Sequence, residues 1–185
     1  MMPRIVGMGG AIRPGSTSER ALRLFLAGLA ERGAETSLFI GEHLDFPLYD
    51  PVRQLEDPRL DAFVEAVRRC DAVVISTPVY HGAVTGLIKN AIDHLTALMN
   101  DSRPFLAGRA VCCIAAGGGL PGAVTALSSL RDIVHALRGW PTPMQVPINS
   151  SSSPFAEDGS CIDPKLTKMI LAAQDDLMAF TRIAA

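Results

Sequence analysis

Two spacings of apolar residues alternate along this chain. Short apolar runs, typical of buried strands, are separated by longer stretches in which apolar residues recur at i, i+3, i+4 and i+7, as on one face of a helix. The runs predict five strands, at residues 3–9, 36–40, 72–76, 109–116 and within 143–148. The longer stretches predict helices over 18–32, after the Asp57-Pro58 pair, around 88–95, after Pro121 and after the Asp163-Pro164 pair.

This regular alternation is typical of an α/β fold in which helices cover both faces of a parallel sheet. In the run at 72–76, apolar residues point to both faces of the strand, as expected for a central strand that is buried on both sides. Right-handed crossovers leave two common strand orders, the flavodoxin-like and the Rossmann-like. The Rossmann fingerprint is incomplete, because Ile12 stands where the third glycine after Gly7 and Gly9 should fall.

Length and composition narrow the class further. The chain has 185 residues, of which 48% are hydrophobic and 19% charged, so we expect residues 1–185 to form one domain with a full hydrophobic core. The formal net charge of −2 favours neither nucleic acid nor an anionic membrane surface as a partner. No apolar run approaches the roughly 20 residues of a membrane span, and the N-terminus has no signal-peptide pattern, so we expect no membrane association and a cytoplasmic location.

The four cysteines are expected to be reduced thiols. Cys112 and Cys113 are adjacent in a predicted strand and therefore point to opposite faces of the sheet. Cys70 ends a predicted helix, and Cys161 lies in a late loop. No pair has the spacing of zinc ligands or of a Cys-x-x-Cys motif, so we expect neither a metal site nor a redox pair.

The segment between the first strand and the first helix, residues 10–18, is rich in hydrogen-bond donors. It carries Arg13, Gly15 and the hydroxyls of Ser16, Thr17 and Ser18, immediately before the positive end of a helix dipole. Such a segment suits a phosphate group. An alternative is a simple helix cap, because Ser16 and the glutamate three residues later fit a capping box, and that glutamate adds negative charge where a phosphate would bind.

Two further strand-end segments carry unusual chemistry. Residues 78–82 read Pro-Val-Tyr-His-Gly, and residues 117–119 are three glycines. Since ligands of open parallel sheets bind beyond the carboxyl ends of the strands, we expect both segments to lie beside the loop at 10–18. A phosphate on the first loop and a planar ring across the other two would describe a mononucleotide with an aromatic base.

Three stretches resemble a known family. They are Arg-Pro-Gly-Ser-Thr-Ser at 13–18, Pro-Val-Tyr-His-Gly at 78–82 and Leu-Ile-Lys-Asn-Ala-Ile-Asp at 87–93. Together they are similar to the NADPH-dependent FMN reductases, a flavodoxin-like group that includes quinone, azo-dye and chromate reductases, over about residues 3–148. Two departures are Ala11, where many members have Ser, and His81, where Asn is frequent.

The resemblance implies a doubly wound, five-stranded flavodoxin-like sheet that binds FMN and is reduced by NADPH or NADH. It implies no catalytic side chain and no metal, since the flavin carries the hydride chemistry. The implied cofactor-binding residues fall into three groups, one for each strand-end segment. Arg13, Ser16, Thr17 and Ser18 would hold the FMN phosphate, Pro78, Val79, Tyr80 and His81 would lie along the isoalloxazine, and Gly117, Gly118 and Gly119 would flank its other edge.

Three functions are therefore compatible with the sequence. The first is an NAD(P)H-dependent FMN reductase, an oxidoreductase that passes electrons to free flavin, a quinone or a monooxygenase partner. The second is a flavodoxin-type electron carrier, against which the modest net charge of −2 and the single Trp count. The third keeps the fold but binds another nucleotide.

The long segment at 41–57 shows no steady period. Loops of this length tend to be functional. The family resemblance implies a homodimer or a homotetramer, so this loop could reach a second copy. The alternative is a surface excursion packed by Leu44, Phe46, Leu48 and Tyr49.

Overall fold

The computed structural model describes residues 2–53 and 55–183. Strands and helices alternate along the chain in the predicted order. The strands are β1 (Arg4–Gly9), β2 (Glu35–Ile40), β3 (Ala72–Pro78), β4 (Ala110–Gly117), β5 (Trp140–Pro141) and β6 (Val146–Asn149). The α-helices are α1 (Thr17–Glu31), α2 (Pro58–Arg69), α3 (Gly86–His94), α4 (Leu120–Ala136) and α5 (Pro164–Ile183).

All pairings in the sheet are parallel, and the strand order is β2-β1-β3-β4-β5, with β6 also paired to β4. This order, 2-1-3-4-5, is the flavodoxin-like one. The main order contains five strands, as predicted, and the sheet holds a sixth because two short strands share the fifth position. Trp140 pairs with Ala110 and Val146 with Ile114, so β5 and β6 lie end to end along the same edge of β4.

Helices cover both faces of the sheet, as predicted. Helices α2, α3 and α4 pack on one face around a core that includes Phe63, Ile88 and Cys113. Helices α1 and α5 pack on the other around a core that includes Phe25 and Cys112. The two adjacent cysteines therefore point to opposite faces, which confirms the prediction from strand geometry.

Helix ends follow the signals in the sequence. Ser16, Asp57 and Thr85 are the N-caps of α1, α2 and α3, and each side chain accepts a hydrogen bond from a backbone amide of the first turn. A hydrogen bond from the Arg59 side chain lowers the pKa of the Asp57 carboxyl to about 2. Gly33 follows α1 with a φ of +85°, in the left-handed region that favours glycine.

The segment between β2 and α2 begins with a 3-10 turn (Gly41–His43) and is held against α3. Leu44 and Phe46 are buried, as the alternative of a packed surface excursion expects, whereas Leu48 is 84% exposed and takes no part in that packing. The side chain of Asn90 donates to the carbonyl oxygens of Phe46 and Pro47 (3.1 and 3.2 Å) and accepts from the amide of Tyr49 (2.8 Å). A residue of the Lys-Asn-Ala-Ile-Asp stretch thus anchors this long loop.

No α-helix in the part of the chain that the structure describes combines the length and the apolar character needed to cross a membrane.

Candidate functional site

Three loops meet at the carboxyl edge of the sheet. They follow β1, β3 and β4, which are neighbours in the strand order, so the loops lie side by side. Between them is a cleft of about 420 Å³, within the range of small-molecule sites. Its wall is formed by Ala11, Arg13, Gly15, Ser16, Thr17, Ser18, Pro78, Val79, Tyr80, Ala116, Gly117, Gly118 and Ser150.

The first loop is tied to its neighbour by buried hydrogen bonds. The amide of Gly10 donates to the carbonyl of Ser76 (2.8 Å), and the hydroxyl of Thr85 donates to the carbonyl of Gly10 (2.9 Å). The hydroxyl of Ser76 donates to the carbonyl of Ser18 (2.7 Å). A side chain at Gly10 would not fit, because its Cβ would lie 2.6 Å from Thr85 Oγ1. The start of α1 is therefore held in place without any ligand.

The capping interpretation of this loop is confirmed. Ser16 Oγ accepts from the amide of Glu19 (3.2 Å), as in a capping box. The Glu19 carboxylate is buried and accepts from the amide of Gly15 (3.0 Å) and from Arg23 Nε (2.8 Å). The negative charge of Glu19 is thus balanced within the protein, which removes the main objection to an anion beside it.

The cap leaves donors free at the same helix end. The amides of Thr17 and Ser18 have no acceptor within the described residues, as expected for the first turn of a helix. The hydroxyls of Ser16 and Ser18 are 3.1 Å apart, and Arg13 is exposed at the mouth of the cleft. This donor set fits a phosphate group. The cap and the phosphate site are therefore compatible, although the sequence presented them as alternatives.

The second loop forms one wall of the cleft and turns sharply at its tip. The amide of Val79 donates to the carbonyl of Ala116 (2.9 Å), and Tyr80 pairs with Ala83 through two backbone bonds (3.2 and 3.1 Å). His81 and Gly82, between them, have φ values of +53° and +75°, as in a type I′ hairpin turn. His is among the few residues that tolerate this region, so the His-Gly pair itself was a turn signal.

Tyr80 and His81 are consequently placed differently. Tyr80 is 62% exposed and lines the cleft, where its ring is available to a planar ligand. His81 is exposed at the tip of the turn and does not line the cleft.

The third loop presents bare backbone to the cleft. Gly117 and Gly118 line it, whereas Gly119 is the N-cap of α4 and does not. Ser150 Oγ donates to the carbonyl of Gly117 (2.9 Å), and Ser151 Oγ donates to that of Gly118 (3.0 Å). Sequence reasoning missed Ser150, which lines the cleft because the end of β6 reaches the same edge of the sheet.

A larger cavity of about 740 Å³ lies elsewhere, between the loop around Tyr49 and helix α2. Its charged wall residues include Glu65 and Arg68, which form an ion pair with each other. Its described wall residues include none from the loops that follow β1, β3 and β4, which carry the free helix-end donors and the glycines. The chemistry of the smaller cleft, rather than cavity size, therefore identifies the candidate site.

The cysteines stand apart from this site. All four are free, and burial raises the pKa of the Cys70 thiol to about 11 and that of Cys113 to about 12. Burial also raises the pKa of Cys112. In the described ranges, no three His, Cys, Asp or Glu side chains are grouped as metal ligands would be.

The strand order and the cleft together define a flavodoxin-like protein with a site for a phosphate and a planar ring. A family model described as NADPH-dependent FMN reductase matches residues 3–152. The chain belongs to this family, and the resemblance drawn from its sequence motifs is confirmed. FMN and NAD(P)H are thus the cofactor and the reductant that its family membership supports.

Individual relatives agree with this assignment. An NAD(P)H-dependent FMN reductase of Pseudomonas aeruginosa is 29% identical over 182 residues, which cover 97% of this chain and 95% of that protein. An FMN-dependent NADPH-azoreductase of Staphylococcus haemolyticus is 30% identical over 160 residues, covering 74% and 81%. Among solved structures, the flavoenzyme NAD(P)H:(acceptor) oxidoreductase FerB from Paracoccus denitrificans superposes with a TM-score of 0.74 at 26% identity, covering 99% of this chain and 97% of that one.

Proposed function

We propose that this chain is an NAD(P)H-dependent FMN reductase whose cofactor binds in the cleft between the three strand-end loops. The observation that carries the proposal is the convergence of a donor-rich helix end, a tyrosine-bearing wall and a glycine edge on one cleft of about 420 Å³. When bound, FMN supplies the chemistry of accepting a hydride and passing electrons on. The protein supplies the binding and the orientation.

Each loop has its own task in this proposal. Arg13, Ser16, Thr17 and Ser18 hold the phosphate, aided by the free amides at the start of α1. Pro78, Val79 and Tyr80 support one side of the ring, with His81 at the tip of the same turn. Gly117 and Gly118 flank the other edge, where the absence of side chains lets the backbone approach closely, and Gly119 follows them at the start of α4. Because hydrogen bonds fix the first two loops to each other, the site is largely preformed.

The electron acceptor is proposed to be a small oxidant, namely free flavin, a quinone or an azo compound, or else a monooxygenase partner that takes reduced flavin. The names of the staphylococcal azoreductase and of the Paracoccus oxidoreductase support a small acceptor. Steady-state turnover with each acceptor class, using NADPH and NADH in turn, separates these possibilities. A flavodoxin-type carrier would bind FMN but would leave it oxidised in the presence of NADPH.

We further propose that residues 1–185 act as one cytoplasmic domain that assembles into a homodimer or a homotetramer. Leu48 and Val52, in the long loop before α2, are 84% and 90% exposed, which supports a contact with a second copy. Light scattering of the protein and of the L48D/V52D variant measures this directly. If both proteins are monomers, the assembly proposal is contradicted, and the proposal of the FMN site still stands.

The test of the site uses the visible spectrum of the protein with added FMN, followed by NADPH without oxygen. We expect bound flavin that NADPH bleaches within the mixing time of a manual assay. The double variant R13A/S16G should bind FMN at least about tenfold more weakly, because hydrogen bonds to a charged group contribute about 1.5–3 kcal/mol each. Glycine is chosen at position 16 because it preserves most of the N-cap stability of α1.

The matched control is R4A, which removes the same charge from the opposite edge of the sheet, where Arg4 begins β1. Unchanged FMN affinity in R13A/S16G, with R4A also unchanged, would refute the phosphate assignment. Equal losses in both would indicate that overall charge, rather than the loop, governs binding.

A further inference from the structure

Ser150 and Ser151 reach from the end of β6 to two consecutive glycines on the neighbouring loop. Their hydroxyls donate to the carbonyls of Gly117 (2.9 Å) and Gly118 (3.0 Å), respectively. The side chain of Ser151 is exposed, so water could satisfy both partners of its bond equally well. The main effect of the two successive bonds is therefore on the direction in which the two glycine peptide groups face, rather than on stability.

Because peptide groups are planar, these two bonds also fix the direction of the next two amide N–H groups. In a trans peptide the C=O and the following N–H point in opposite directions, and the described residues contain no cis peptide. Holding the carbonyl of Gly117 thus directs the N–H of Gly118 away from Ser150. Holding the carbonyl of Gly118 likewise directs the N–H of Gly119 away from Ser151.

Of these two amides, that of Gly118 belongs to a residue that lines the cleft, and that of Gly119 belongs to the N-cap of α4, just beyond the cleft wall. Neither has an acceptor within the described residues. Successive free amides form a concave anion-binding group, but a run of three glycines would ordinarily rotate among many conformations. The two serine hydroxyls restrict that rotation at the point where the loop borders the cleft.

We propose that Ser150 and Ser151 are positioning residues that hold the two glycine peptides in one orientation and keep the amide of Gly118, which lines the cleft, turned toward the flavin ring. The inference rests on the proposed function, since it assigns this amide to the ring edge that becomes negatively charged. A hydride from NAD(P)H would add two electrons and one proton, and therefore one negative charge, to a bound flavin, and the nicotinamide would leave as the oxidised cation. A donor already aimed at that edge stabilises the charge without reorganisation.

The test compares S150A, S151A and the S150A/S151A variant with S152A. Ser152 belongs to the same serine run, but its hydroxyl donates to the carbonyl of Asn149 (2.8 Å) and does not reach the glycines. The first measurement is the ¹⁵N–¹H NMR spectrum and hydrogen exchange of Gly117, Gly118 and Gly119 in protein without FMN. The second is the affinity for oxidised FMN together with the midpoint potential of the bound flavin.

We expect the double alanine variant to shift or broaden the glycine amide signals and speed their exchange, and S152A to leave them unchanged. Oxidised FMN should bind within about threefold of the unmodified protein. Reduced FMN should lose about tenfold more affinity than oxidised FMN, which lowers the two-electron potential by about 30 mV. S150T/S151T, which keeps both hydroxyls, should restore the potential.

The outcomes separate this inference from the proposed function. Unchanged glycine amides in S150A/S151A overturn the positioning role of the two serines, whether or not FMN binds. Altered amides with equal weakening of oxidised and reduced FMN overturn the role in charge stabilisation. Failure of the unmodified protein to bind FMN overturns the proposed function and, with it, the assignment of the Gly118 amide to a flavin.

Discussion

Replacing Thr85 with Val should destabilise the protein by about 2–3 kcal/mol, although the two side chains have nearly the same shape. The Thr85 hydroxyl has two partners: it donates to the carbonyl of Gly10 (2.9 Å) and accepts from the amide of Ile88 (3.3 Å). The residue is only 4% exposed, so water does not replace either bond. Loss of an N-cap costs about 1 kcal/mol, and a buried carbonyl without its donor costs about 1–3 kcal/mol.

The assay is urea or thermal unfolding of the protein without FMN. For a chain of this size, about 1 kcal/mol moves the Tm by about 2–4 °C, so T85V should melt about 4–12 °C lower. T85S is the control, because it keeps the hydroxyl and loses only a methyl group, worth about 0.8 kcal/mol. If T85V proves as stable as T85S, the hydroxyl does not link the two loops, and the idea that they are fixed to each other before FMN binds fails.

Two further changes test the surroundings of the site. N90L removes the three hydrogen bonds that Asn90 makes to the segment at 46–49, so proteolysis within residues 41–57 should become several-fold faster. The control K89A loses only an exposed ion pair with Asp93 and should be cut at the original rate. Equal rates for the two variants would contradict an anchoring role of Asn90. The Arg59 side chain lowers the pKa of the Asp57 carboxyl to about 2, so the stabilisation from the ionised carboxylate is present above pH 4 and is lost as the pH falls through this folded-state pKa. The stability difference between the unmodified protein and D57N should therefore shrink from pH 6 to pH 2. A difference independent of pH would contradict this cause.

Most of the fold could be predicted because the spacing of apolar residues differs between strands and helices. Val73 and Ile75 face one core and Val74 the other, which is the signature of a covered central strand. The two-residue strand β5 has no such signature. It contains Pro141 and is held by the amides of Trp140 and Thr142, which donate to the carbonyls of Arg109 and Val111 (2.9 and 3.0 Å), so its pairing depends on tertiary contacts alone.

The candidate site could be predicted to the level of its three loops but not to every wall residue. Chain order and sheet geometry placed the loops together. The contact of Ser150 with Gly117 depends on where β6 ends beside β4, and the run of serines that follows gives no signal for that position. The sequence left two interpretations of the long loop open, because the hydrogen bonds from Asn90 and His94 to the carbonyl of Pro47, which fix the chain just before Leu48, leave no apolar pattern.

The backbone at the tip of the second loop restricts which residues can occur there. Since His81 has a φ of +53°, the residues tolerated at this position are mainly Gly, Asn, Asp and His. Tyr80 pairs with Ala83 in the manner of a strand residue and carries no such restriction. Natural variation and laboratory evolution can therefore sample many side chains at position 80 but few at position 81. Libraries that aim to change the molecules admitted to this side of the cleft should place their diversity at position 80.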